Sequence, residues 1–171
     1  MTFVASWFNC PYSFPMPSDR EQKLESLGFP LDRTPPVGAI YRHVVIDGNT
    51  VYTSGAVPMD GTALVGKGKV PSEVSLDDAK RHAALCAANI LRNVRKAVGS
   101  LDRIERVLKT VGYVNSDPAF GDQHLVINGA SELLRDVLGD DAGIGVRTAI
   151  GMAGLPLGSS VEVDVIFKMK G

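Results

Sequence analysis

Between Ser75 and Gly99 the apolar residues Leu76, Ala79, Ala83, Cys86, Ile90, Val94 and Ala97 recur in steps of three and four. That spacing lines one side of an α-helix and leaves the other to water, so the segment predicts a long helix that must lie on an apolar surface. Its ends agree with this. Ser75 is a capping residue, Asp77 and Asp78 fall in the first turn, and Arg92, Arg95 and Lys96 precede Gly99, as the helix dipole favours. Lys80, Arg81, Arg92, Arg95 and Lys96 lie between the apolar positions and are read as the solvated face. The surface this helix needs is encoded near the C-terminus. From Ser160 to Phe167 the chain alternates, with Ile166 alone out of pattern, so Val161, Val163, Val165 and Phe167 share one strand face and Glu162 and Asp164 the other.

The remaining elements follow from local chemistry. Ser18-Asp19-Arg20-Glu21 has the form of a capping box and opens a short helix that stops before Gly28 and Pro30. Ile40 to Asp47 and Thr50 to Ser54 read as strands joined by the turn Asp47-Gly48-Asn49. The glycine-dotted stretch Gly55 to Gly68 is a loop with room for a short strand. Val107 to Asn115 is a strand, Pro118 opens a second long helix ending near Gly139 with Phe120, Ile127, Leu134 and Val137 inward, and Val146 to Ile150 is a short strand. The order strand, strand, helix, strand, helix, strand, strand lacks a strict βαβ repeat. It predicts an α+β fold, a mixed sheet with two long helices packed on one face. Residues 1–35 are expected to form an N-terminal arm with a short helix, and residues 36–171 the domain proper.

With 171 residues, 44% apolar and 22% charged, the chain suits one globular domain. A formal net charge of -1 supplies no general attraction for nucleic acid. The N-terminal MTFVASWFNCPYSFPM lacks a basic start and is broken by prolines, which argues against a signal peptide, and no run suits a membrane span. Cys10 and Cys86 have no pairing spacing, as expected of free thiols in a cytoplasmic protein. His43, His82 and His124 show no ligand spacing, so no metal and no cofactor are expected.

Paired acids on an open sheet face are commonplace. Here they follow Gly145-Val146-Arg147-Thr148-Ala149-Ile150-Gly151-Met152-Ala153-Gly154-Leu155-Pro156-Leu157-Gly158-Ser159-Ser160-Val161-Glu162-Val163. This segment resembles the C-terminal signature of the YjgF/RidA family, also labelled endoribonuclease L-PSP, with its arginine, Leu-Pro turn and Val-Glu strand. Gly38-Ala39-Ile40-Tyr41, Thr53-Ser54-Gly55 and Val126-Ile127-Asn128 match further family positions in order. Gly145, Val146 and Thr148 depart from the commoner pattern, and residues 1–35 extend beyond the shortest members, as in a divergent subgroup.

The resemblance implies a chorismate-mutase-like fold, a homotrimer with a pocket at each subunit interface, and a small carboxylate-bearing metabolite as ligand. It implies hydrolytic deamination of 2-imino or 2-enamino acids to 2-oxo acids, with Arg147 holding the carboxylate and Glu162 acting with a water. Tyr41, Gly55, Asn128 and Ala149 would contact the substrate. A planar, permanently charged guanidinium suits bidentate carboxylate binding, and a nearby carboxylate can orient or deprotonate water. The alternatives are a non-catalytic trimeric binder, an endoribonuclease, or an Arg147–Glu162 ion pair spanning adjacent strands.

Overall fold

The computed structural model describes residues 17–171. Cys10 and residues 1–16 of the expected arm lie outside the described residues. The elements run α1 (Asp19–Ser26), β1 (Val44–Asp47), β2 (Thr50–Thr53), β3 (Met59–Asp60), β4 (Ala63–Leu64), α2 (Leu76–Val98), β5 (Ile104–Asn115), α3 (Gln123–Leu138), α4 (Asp140–Gly143), β6 (Val146–Met152) and β7 (Val161–Met169). Five strands form one mixed sheet in the order β1-β2-β7-β5-β6, in which only β5 and β6 run parallel. β3 and β4 form a separate hairpin inside the glycine-dotted loop.

The alternation of the last strand decides which face is covered. Val161, Val163, Val165 and Phe167 are fully buried under the helices, while Glu162, Asp164 and Ile166 are half-buried on the opposite, open face. Removing each such apolar side chain from water contributes about 1.5–3 kcal/mol, so this row anchors the sheet. α2 follows the stripe read from the sequence, from its Ser75 cap to Gly99, except that Ala97 is exposed. Cys86 lies in the core, and burial raises its thiol pKa well above the ordinary value.

Several boundaries differ from the sequence reading. The first strand begins at Val44, not Ile40, because Ile40 and Tyr41 project from the chain with no ladder partner. Pro118 does not open the second long helix. α3 starts five residues later behind Asp122, after a turn closed by Phe120 N–H on Asp117 O at 3.0 Å. Arg92 is not on a solvated face: it is only 3% exposed and donates from Nε to Pro30 O at 2.8 Å and from Nη1 to Asn89 Oδ1 at 2.6 Å. An arginine's long stem packs as readily as an apolar residue, so charge pattern alone misplaces it. The Ser18–Glu21 capping box is present. Glu21 also accepts from Leu101 N–H at 3.1 Å and pairs with Arg95 at 3.2 Å, which ties α1 to the body of the domain.

α2 and α3 cross at Gly129, where an added Cβ would stand 1.9 Å from the backbone oxygen of Lys80. A backbone atom cannot swing aside as a side chain can, so Gly129→Ala must push the helices apart. Overpacking of this kind costs about 1–3 kcal/mol, and the expected result is a fall in Tm of several degrees for the alanine variant. An unchanged melting curve would show that the helices do not touch there.

Candidate functional site

The charged residues singled out by the sequence occupy two places in the chain. At one edge of the sheet, Arg147 on β6 points to the helix-covered side and meets α3. Its Nη1 donates to Asn128 Oδ1 at 2.9 Å and Ser131 Oγ at 3.0 Å, and its Nη2 donates to His124 O at 3.4 Å. α3 is seated for this by Ile127, which lies against Gly112 of β5, where any side chain would collide with it. Arg147 is exposed and forms no salt bridge among the described residues. Its charge is held in place by neutral oxygens and remains uncompensated. Ala149, two residues on, faces the same side opposite Gly112.

Glu162 lies on the open face of β7, opposite Tyr113. Its carboxylate covers Gly55, where an added Cβ would stand 1.9 Å from Oε1, so the glycine is what admits this side chain. Ala56 continues the ladder from there, exchanging both backbone hydrogen bonds with Val163 at 2.8 and 3.0 Å. Burial and the neighbouring Asp164 raise the Glu162 pKa. Asp164 is also raised, chiefly by burial, although it accepts from Tyr113 Oη at 3.0 Å and feels Lys109. Gly55 and Tyr41 together line a cavity of about 190 Å³, and the Tyr41 ring stands edge-on to His43 with centroids 5.4 Å apart.

The structure therefore joins Arg147 to Asn128, with Ala149 on the same strand face, and Glu162 to Gly55, but does not bring the two groups together in one chain; Tyr41 shares a cavity with Gly55 that Glu162 does not line. β5 separates β6 from β7, and the two side chains leave opposite faces of the sheet. Strands lie about 4.8 Å apart, so β6 and β7 are about 10 Å apart even before the side chains diverge. This overturns the ion pair across adjacent strands. The sequence reading also passed over Ser131 and Tyr113. Ser131 stands three residues after Asn128, the spacing that places two side chains on one helix face, and this was the available signal.

The raised Glu162 pKa has a consequence for stability. The folded state holds this proton more tightly than the unfolded chain, so the cost of ionising Glu162 is absent below its ordinary value of 4.5. That cost grows as pH rises to the folded value and is complete above it. Glu162→Gln is expected to melt at or above the parent at about pH 7, with the gap closing towards about pH 4. Melting curves at both pH values check this, and a variant less stable than the parent at neutral pH contradicts it.

The two-helix layer on one face of a mixed five-stranded sheet is the chorismate-mutase-like α+β fold. Residues 32–168 match the family described as Endoribonuclease L-PSP. The chain belongs to this family, which includes YjgF and RidA. It is 33% identical over 146 residues to the protein TCP17 of Trypanosoma cruzi, covering 85% of this chain and 91% of that one. A crystal structure of a protein of unknown function from Agrobacterium tumefaciens is 43% identical, covers 88% of this chain and 92% of its own, and superposes with a TM-score of 0.81. RidA from the Antarctic bacterium Psychrobacter is 26% identical, with 81% and 95% covered and a TM-score of 0.56. Among the described residues no helix is long and apolar enough to cross a membrane.

Proposed function

We propose that this protein hydrolyses 2-imino and 2-enamino acids to 2-oxo acids with release of ammonia, at sites completed between copies of the chain in a cytoplasmic homotrimer. The observation that carries this reading is the Arg147 guanidinium, oriented by Asn128 Oδ1, Ser131 Oγ and His124 O without any carboxylate partner among the described residues. Neutral acceptors fix its plane and leave its charge free for an anion. Nε and the outer hydrogen of Nη2 form the fork that a substrate carboxylate would take bidentately.

Glu162 of a neighbouring copy supplies the second group. Its carboxylate makes no hydrogen bond among the described residues, and its raised pKa brings it closer to proton exchange near neutral pH. It takes a proton from the attacking water as the new C–O bond forms at the imine carbon. It returns that proton to nitrogen to give the carbinolamine, and then relays the hydroxyl's remaining proton to nitrogen as the C–N bond breaks and the C=O bond forms, so that imine and water yield oxo acid and ammonia. An imine is already electrophilic, and positioning supplies much of the remaining acceleration. A net charge of -1 gives RNA no comparable foothold.

The test is the release of ammonia from freshly generated 2-imino acids, with and without the protein, beside a calorimetric titration with the corresponding 2-oxo acid. Acceleration above the spontaneous rate supports the reading. Oxo-acid binding without acceleration leaves a binding protein instead, and the absence of both refutes the carboxylate site.

A further inference from the structure

A second cavity lies beside α2, between the segment that follows α1, with Gly28, Phe29 and Pro30, and the β3–β4 hairpin, with Asp60 and Val65. Its volume is about 540 Å³, within the range of about 300–1,000 Å³ common to small-molecule sites. None of Arg147, Glu162, Tyr41 and Gly55 lines it. Gly28, Phe29 and Pro30 precede residue 32, where the match to the family begins, so this wall is an addition to the common domain.

Arg92 lines this cavity although it is only 3% exposed. Its Nε and Nη1 donate to the neutral oxygens of Pro30 and Asn89, its Nη2 makes no hydrogen bond among the described residues, and it forms no salt bridge there. The fully enclosed side-chain atoms without a partner belong to His43, Arg95 and Ser159, so Nη2 is open to the cavity rather than sealed. Burial lowers the Arg92 pKa; Asp60 and Asp32 act against that, but Asp60 is already held by Arg33 at 3.0 Å. A guanidinium stays charged even so, and a buried charge without a close counter-ion favours an anion beside it. His82 lines the same cavity, its ring seated against Gly66, where an added Cβ would stand 2.6 Å from Nδ1. Nδ1 lies 3.0 Å from Ser160 Oγ, which gives its own hydrogen to Gly66 O at 3.4 Å, so Nδ1 carries the ring hydrogen and Nε2 is left for a ligand.

We propose that this cavity is a second ligand site, separate from the imine-hydrolysing one, and that it takes a phosphate monoester carried on an apolar body. Arg92 Nε is occupied by Pro30 O, so the side-on fork that grips a planar carboxylate is closed. A tetrahedral phosphate instead gathers single donors from different directions. Its hydroxyl can also give a hydrogen to His82 Nε2, which a carboxylate cannot do. Arg33 and Arg81, each paired with an aspartate, border the cavity against a single lining carboxylate, Asp60, and keep its potential positive. Phe29, Val65, Ala84 and Leu85 supply the apolar surface for the organic group of the ester.

The experiment is calorimetric titration of the full-length protein with phenyl phosphate, inorganic phosphate, benzoate and benzyl alcohol. Phenyl phosphate is expected to bind at least about tenfold more tightly than inorganic phosphate, which lacks the apolar body, and than benzoate, which lacks the tetrahedral head. Benzyl alcohol, without charge, should not bind measurably. Arg92→Gln should weaken phenyl phosphate by about tenfold or more. Val65→Trp enlarges a half-exposed lining residue into the cavity, leaves the hydrogen bonds of Arg92 in place, should abolish binding, and decides the matter if the glutamine variant fails to fold. Arg147→Ala should bind phenyl phosphate as the parent does, since that arginine belongs to the other site. No binding of phenyl phosphate, benzoate or inorganic phosphate binding as tightly, or affinity that survives Val65→Trp overturns the proposal. Affinity lost in Arg147→Ala but kept in Arg92→Gln also overturns it, and assigns the anion to the sheet edge.

Discussion

Arg147→Ala is expected to lower both 2-oxo-acid affinity and imine hydrolysis by more than about 100-fold while the protein keeps its fold. Hydrogen bonds to a charged group are worth about 1.5–3 kcal/mol each, and two are lost when a bidentate carboxylate loses its fork. The fold should tolerate the change because Arg147 is exposed on an edge strand and its partners Asn128 and Ser131 can turn to water. Arg147→Lys restores only part of the affinity, since an ammonium cannot match both carboxylate oxygens in one plane. Calorimetry beside circular dichroism separates the outcomes. Full affinity in a folded Arg147→Ala protein removes the site, whereas an unfolded variant assigns Arg147 to structure.

Much of the fold could be read in the chain because its signals are periodic and local. The stripe from Leu76 to Val94 and the alternation from Val161 to Phe167 each admit one geometry, and the structure packs one on the other. The failures occur where a residue's environment comes from distant sequence. Arg92 falls in a basic-looking helix position, yet the carbonyl that receives it belongs to Pro30, more than sixty residues earlier. Pro118 carries a genuine helix-start signal, but Asp117 and Phe120 close a turn first. At the candidate site the residue types stand out in the sequence, but their arrangement does not. Strand order cannot be read from sequence spacing, and it is the insertion of β5 between β6 and β7 that separates Arg147 from Glu162.

That separation leads to the second large effect. Arg147→Ala and Glu162→Gln are each expected to be inactive alone, the first for lack of a carboxylate anchor and the second because an amide cannot exchange the proton of the attacking water. If one copy supplies Arg147 and its neighbour Glu162, then mixing the two variants should restore activity, because some interfaces pair the intact arginine of one variant with the intact glutamate of the other. The two half-sites are different surfaces, so their contact is head-to-tail and closes into a ring such as a trimer. In an equal random mixture about one quarter of the interfaces carry both intact residues. Unfolding and refolding the two variants together should therefore recover about a quarter of the parent activity, whereas refolding each alone recovers none. A site contained within one chain predicts no recovery in the mixture, since every chain would lack one of the two groups. Light scattering on the same samples adds the second condition: recovery requires an oligomer, and a monomer at micromolar concentration rules out the shared site.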